Sequence, residues 1–346
     1  MGGVKRVLAM AVCLGTVASA GPAVDDVTLT RLETWSNVFA DREVAFHYRV
    51  KSRNALQGRL GWALSADQRT LHRGETGVRL PVGGEASVAI TLRAPGVREG
   101  VVLPASLAVQ VHDLQGKSLA QHECPVLIFA SNPFAGRIEW LKRQKLTLFD
   151  PIGHTAKCLE SVRVPFEQAR RPAVIGELQE GILLIGEGIS LDKFWGLDLA
   201  MVAAARRGVP VLCLAPSEGK LPLPGKAGDD PLPASFVLQH EEAIARLDKR
   251  LDTAAWPPDG RSVRSSLMIR AEREQVITAV EIGPKGWEWL EARYPAPGAR
   301  LVVCGFGIVE HWNATPAPRY ALARLLEYVG QGSNRNQDQK METRDE

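Results

Sequence analysis

The stretch from Gly181 to Pro216 constrains this chain most. Gly181-Ile-Leu-Leu-Ile-Gly-Glu-Gly188 is an apolar run closed by glycines. A helical stretch follows, Leu191 to Arg207, and then a second apolar run, Val209 to Ala215. Short continuous apolar runs mark strands covered on both faces. Strand, helix and strand in this order predict a unit of a parallel sheet in a doubly wound α/β domain. Phe194, Leu197, Met201 and Ala205 recur at near-helical spacing, with Trp195, Leu199 and Val202 beside them. Such a broad stripe suits a crossover helix packed on a sheet. Gly208 ends that helix, and Pro210 opens the next strand.

The rest of the C-terminal half extends this unit into a domain over residues 145–330. A linker with a short helix, residues 131–144, leads into a first strand, Leu146 to Asp150. Thr155 is expected to cap a helix from Ala156 to Val162, and Val164-Pro-Phe166 reads as a short second strand. Lys220 to Pro233, rich in Pro, Gly, Lys and Asp, reads as a long loop or flap. Ile244, Leu247 and Leu251 mark an amphipathic helix. Ser265 to Ile269, Gln275 to Ile282, Trp287 to Tyr294 and Leu301 to Val303 read as successive strands, an antiparallel extension of the sheet. Thr315-Pro316 opens a final helix in which Leu322, Leu325, Leu326 and Val329 fall on one face.

Residues 25–130 have a different period. Val44, Phe46, Tyr48 and Val50 alternate with polar neighbours, as do Val88, Ile90 and Leu92, and Leu107, Val109 and Val111. Period two places each apolar set on one face of a half-buried strand. Turn signals at Pro81-Val-Gly-Gly84, Ala94-Pro-Gly96 and Leu114-Gln-Gly116 separate them. About seven such strands without a helix predict an antiparallel β-sandwich of immunoglobulin-like type. Trp62 is expected in its core rather than as an exposed sugar-stacking ring, and His47 and His112 on its polar faces.

The ends read as segments outside the fold. Lys5-Arg6, the apolar run Val7 to Val17 and Ala18-Ser-Ala20 form a signal-peptide pattern over residues 1–20, with cleavage expected near Ala20. The run is too short to span a bilayer, so export to the periplasm or beyond is expected, with no membrane span afterwards. Removing Lys5 and Arg6 from 42 basic residues leaves one positive charge over 39 acidic ones. No basic stripe points to nucleic acid. Cys124, Cys158, Cys213 and Cys304 remain. None lies in a C-x-x-C or zinc-type spacing, and disulfides between them are left open. The polar segment 331–346 has the composition of a disordered tail.

The α/β half resembles the class I glutamine amidotransferase-like fold, a flavodoxin-like sheet, and is most similar to non-catalytic versions such as the β-galactosidase trimerisation domain. The resemblance rests on Ile182-Leu-Leu-Ile-Gly-Glu-Gly188, Val209-Pro-Val-Leu-Cys-Leu-Ala-Pro216, and Arg300-Leu-Val-Val-Cys-Gly305 leading to Glu310-His-Trp-Asn-Ala-Thr-Pro316. It implies a cysteine nucleophile on a sharp turn after the strand, and a later His-x-Glu. Here the nucleophile position is matched by Ala215, and Cys213 lies two places early, inside the strand. His240 to Glu242 falls too soon after it, and Glu310-His311 has the wrong order.

A catalytic residue is therefore not expected. The carboxyl ends of parallel strands still define a ligand crevice, where Asp150, His154, Gly186, Glu187, Gly188, Ser217, Glu310 and His311 would gather. Gly186-Glu-Gly188 alone is a weak phosphate signal. The expected function is an exported non-catalytic binding or assembly protein with a protein or carbohydrate partner, and with no metal or cofactor. The alternative is a hydrolase that uses the crevice carboxylates.

Overall fold

The computed structural model describes residues 26–224, 232–251, 256, 266–273 and 276–331. The expected signal segment, the polar tail beyond residue 331 and part of the expected flap, residues 225–231, lie outside the described residues. The chain is β-rich, with 42% strand against 21% helix, and builds two domains.

The first domain contains eight strands: β1 (Val27–Arg31), β2 (Asn37–Phe39), β3 (Glu43–Ser52), β4 (Leu56–Ala66), β5 (Arg69–Leu80), β6 (Glu85–Arg93), β7 (Val102–Asp113) and β8 (Ser118–Phe129). They form a three-stranded sheet, β1-β3-β6, and a five-stranded sheet, β2-β8-β7-β4-β5. Only β2 and β8 pair in parallel within this domain. The alternating sets close on one core: Phe46, Tyr48 and Val50 of β3 with Leu60, Leu64, Val109, Val111, Val126 and Ile128 of the larger sheet. Asp67 and Gln68, both at positive φ, make the two-residue turn between β4 and β5, as the twist of a tight hairpin requires. Trp62, expected inside this core, is half-buried: it packs against the core and borders a trough beside Gly61 and Ala63. It pairs with Gly74 across the hairpin, where a Cβ would stand 2.3 Å from the indole.

The second domain opens with a 3-10 turn, Ala135–Arg137, and α1 (Ile138–Gln144). There follow β9 (Leu146–Phe149), α2 (His154–Ser161), β10 (Glu167–Gln168), α3 (Pro172–Glu177), β11 (Ile182–Ile185), α4 (Leu197–Arg206) and β12 (Val211–Leu214). After β13 (Glu218–Pro224) and β14 (Ser235–Gln239) come α5 (Glu242–Leu247) and a 3-10 turn at Lys249–Leu251. The last described elements are β15 (Ser266–Arg273), β16 (Val276–Ile282), β17 (Trp289–Arg293), β18 (Arg300–Cys304) and α6 (Pro316–Gly330). The main sheet runs β10-β9-β11-β12-β18-β17-β14. Its first five strands are parallel, and β17 and β14 continue it antiparallel. In chain order the parallel strands stand 2-1-3-4-5.

Successive side chains of the parallel strands go to opposite cores. Leu184, Leu212, Leu214, Val302 and Cys304 face α1, α2, α5 and α6. Leu183, Ile185, Val211, Cys213, Leu301 and Val303 face α3 and α4. Both faces are dry, and this is why the strands read as unbroken apolar runs.

Five local expectations are corrected. Helix α4 starts at Leu197 rather than Leu191, because Gly196 precedes it in a left-handed conformation at φ 79°. Trp195 is therefore 95% exposed, and Leu199 also faces outward. Thr155 lies inside α2 rather than capping it. The second strand falls at Glu167–Gln168, just after Val164-Pro-Phe166. Lys220 to Pro224 belongs to strand β13, and the β15–β16 hairpin pairs with it in a separate small sheet instead of extending the main one.

The domains meet at α6. Tyr320 packs edge-on against Phe129 at 4.6 Å and donates its hydroxyl to the Ala130 carbonyl. The buried Arg319 guanidinium donates to the carbonyls of Trp312 and Ser131 and to Asn313, and lies over the Phe39 ring. No described helix is long and apolar enough to cross a membrane.

Candidate functional site

Asp150 follows β9 and is buried. Its carboxylate accepts the backbone N–H of Gly153 at 3.0 Å and of Ala156 at 2.8 Å. Asp150 thus satisfies the otherwise orphaned donors at the start of α2, the capping role expected of Thr155. Thr155 is fully buried, and its Oγ1 accepts the N–H of Glu187 at 3.0 Å. Gly186 leaves room for Asp150: a Cβ there would stand 3.0 Å from the carboxyl group. His154 is exposed on the first turn of α2.

Glu187 follows β11 and is 7% exposed. Its carboxylate accepts the N–H of Val309 at 2.7 Å and of Glu310 at 2.9 Å, with a further bond from Ile308. It pins the turn after β18, beneath which Phe306, Ile308 and Trp312 are buried. Burial pushes its carboxyl up to about 7. The three N–H groups pull the other way, and the nearby Glu310 charge adds to the rise. A carboxylate turned wholly onto backbone amides has little left for a substrate.

The other crevice residues do not join it. Glu310 is exposed and His311 half-buried, with its Nε2 lacking a partner. Ser217 lies half-buried, its N–H donating to the Ile189 carbonyl. Gly188, at φ 79°, donates to the Ala215 carbonyl at 3.0 Å. Among the described residues, no hydrogen bond or ion pair links the side chains of His154, Ser217, Glu310 or His311 to Asp150 or Glu187. Nor does any group of three or more His, Cys, Asp or Glu side chains there come together to hold a metal.

Ala215 occupies the turn after β12 at φ 22°, fully buried. Its N–H donates to the Cys304 carbonyl at 2.6 Å. A non-glycine residue in this region is strained, yet Ala215 presents only a methyl group. The chain leaves it into β13 rather than into a helix. Cys213 and Cys304 are fully buried on opposite faces of the sheet, so they cannot bridge. All four described cysteines are free. Burial pushes the Cys304 thiol up to about 12 and the Cys213 thiol higher still. Cys158, half-buried on α2, is pushed up to about 11 by burial and then by the Glu187 charge. None is a poised thiolate. His240 stacks on Trp287 at 4.4 Å just before α5, with no cysteine partner.

A second site was not anticipated from the sequence. A groove of about 560 Å³ lies between β14, β17, α5 and α6, lined in part by Gln239, Arg246, Trp289, Glu291, Arg293 and Tyr328. Glu291 is 2% exposed. Its Oε1 accepts Arg293 Nε at 2.6 Å, and its Oε2 accepts the Tyr328 hydroxyl at 2.7 Å. The only local signal was Trp-Leu-Glu-Ala-Arg, where Glu291 and Arg293 share a strand face. That face reads as solvated, but α6 covers it. A shallower trough lies on the outer face of the sandwich, over Gly61, Ala63 and Ala108, rimmed by Arg73, Gln110 and His112.

No family model and no curated protein matches the chain. Among solved structures it is similar to a Paenibacillus sp. cycloisomaltooligosaccharide glucanotransferase, with 13% identity, TM-score 0.25, and coverage of 55% of this chain and 27% of that one. A Listeria innocua beta-glucosidase matches with 15% identity, TM-score 0.22, and coverage of 32% and 17%. A Bacillus subtilis sporulation control protein matches with 14% identity, TM-score 0.23, and coverage of 34% and 54%. The chain spans between 17% and 54% of the length of these neighbours, and likeness at this level assigns no activity.

Proposed function

We propose that this chain is an exported, non-catalytic binding or assembly protein. In this reading the first domain is an immunoglobulin-like sandwich, and the second is a degenerate amidotransferase-like domain of flavodoxin-like order. The parallel strand order 2-1-3-4-5 supports the flavodoxin-like reading. The observation that carries the function is Ala215. The strained turn after β12 persists at φ 22°, but its side chain has no atom that can attack a substrate. The two buried crevice carboxylates are spent on the chain's own amides, Asp150 on α2 and Glu187 on the turn after β18. Export rests on the Lys5 to Ala20 pattern alone.

The test is an assay of the chain from residue 21 onward for glutamine hydrolysis and for cleavage of nitrophenyl glycosides and esters. No turnover above buffer is expected. Turnover that Glu187→Ala abolishes would establish the hydrolase alternative. Export is tested by expressing the full chain in a bacterium and fractionating it; periplasmic or secreted protein beginning near Gly21 is expected, and uncleaved cytosolic protein would refute it.

A further inference from the structure

The groove between β14, β17, α5 and α6 is separate from the strand-end crevice and shares none of its acids. Its volume suits a small ligand. Its charges are unevenly used. Glu291 is closed in a ring with Arg293 and Tyr328, and the Tyr328 hydroxyl also accepts an Arg293 Nη2 hydrogen at 2.9 Å. Glu327 accepts from Arg137 and Arg324, and Arg324 also reaches Asp248. Both acids on the groove wall are therefore neutralised.

The bases are not equally spent. Arg293 uses Nε and Nη2, and Arg324 uses Nε and Nη1. Each keeps one terminal nitrogen unassigned. Arg246, exposed on α5, has no hydrogen bond or ion pair among the described residues. Three guanidinium groups thus line one groove with unassigned N–H donors, and one positive charge is uncompensated. A carboxylate or phosphate accepts such donors in pairs. The remaining wall is aliphatic, aromatic and amide: Val237, Ala243 and Leu247, the edge of the buried Trp289, the Tyr328 ring 6.2 Å from it, and the side chains of Gln239 and Gln331. An apolar wall with amide groups beside it suits a small body that carries both C–H faces and hydroxyls.

We propose that this groove binds a small hydroxylated oxyanion, a monosaccharide bearing a carboxylate or a phosphate. Arg246 receives the anion with the free edges of Arg293 and Arg324, and the hydroxyls meet Gln239 and Gln331. The assignment stands apart from the reading of the crevice, since turnover at Glu187 and binding at Arg246 are measured separately.

The test is calorimetric titration of the chain from residue 21 onward with glucuronate, glucose 6-phosphate, inorganic phosphate and glucose. At least one hydroxylated anion is expected to bind below about 1 mM, with glucose at least tenfold weaker. The glucuronate and glucose 6-phosphate arms decide between carboxylate and phosphate. Inorganic phosphate binding as tightly as either would overturn the hydroxylated body. Arg246→Glu, an exposed change that spares the Glu291 ring, is expected to weaken binding about tenfold or more, and Arg246→Lys to weaken it less. The proposal is overturned if no anion binds below about 10 mM, or if Arg246→Glu leaves the affinity unchanged.

Discussion

Glu187 supplies the sharpest test of how this fold is held. Its carboxyl moves from an ordinary 4.5 up to about 7, with burial as the main cause. Between those values the unfolded chain has released the proton and the native chain still holds it. Unfolding then releases a proton, so raising the pH favours unfolding. The gap corresponds to about 3 kcal/mol, lost progressively between about pH 4.5 and about pH 7 and constant above. Glu187→Gln removes the titration. It also leaves one carbonyl to serve the amides of Ile308, Val309 and Glu310, a deficit of about 1–3 kcal/mol that does not vary with pH. Urea unfolding of both proteins across this range isolates the group. The stability of the wild type minus that of the variant should fall by about 3 kcal/mol between pH 4.5 and 7.5. A difference constant within about 0.5 kcal/mol would mean that the amide bonds outweigh burial and that Glu187 is ionised throughout.

Three further substitutions test the packing. Gly74→Ala would place a methyl 2.3 Å from the Trp62 indole; a loss of about 1–3 kcal/mol is expected, with a shift in tryptophan emission, and Trp62→Leu in the same chain should recover part of it. Arg163 lies exposed after α2 at φ 58°, so Arg163→Gly should raise the stability by about 0.5–1 kcal/mol, and a lower unfolding midpoint would contradict this. Arg319→Lys keeps a charge but loses the fork that reaches Trp312, Ser131 and Asn313; a loss of about 2–3 kcal/mol is expected. Calorimetry should then show two transitions, as the sandwich and the α/β domain uncouple, and a single unshifted transition would refute the bridging role.

Much of the fold was legible because its signals are local. Period two marked the sandwich strands, and apolar runs marked β11 and β12. Thr315-Pro316 and the Leu322 to Val329 spacing marked α6. The misses have physical causes. Pro222 and Pro224 made β13 look like a loop, but β13 is an edge strand of its small sheet, where a missing amide donor is tolerated. The left-handed Gly196 cut short a helix whose apolar spacing continued upstream. Asp150 capped α2 from six residues before Ala156, outside the usual capping spacing.

The candidate site was legible only as a location. Asp150, Gly186 to Gly188 and Ala215 do follow β9, β11 and β12, whereas His154 lies exposed on α2 and Glu310 lies exposed beyond β18. What they do there was decided by partners far along the chain. Glu187 meets Val309 across 122 positions, and Glu291 meets Tyr328 across 37. Periodicity reports which face a side chain shares with its neighbours, because that depends on local backbone geometry. It cannot report what packs on that face. By itself the sequence determined a β-rich first half, a parallel sheet in the second and an alanine, Ala215, where the chain leaves the second of its apolar runs. Only the tertiary structure decided that Asp150 and Glu187 are spent on the backbone and that the arginines of β17, α5 and α6 share one groove, because the order of strands and the docking of α6 bring those side chains together.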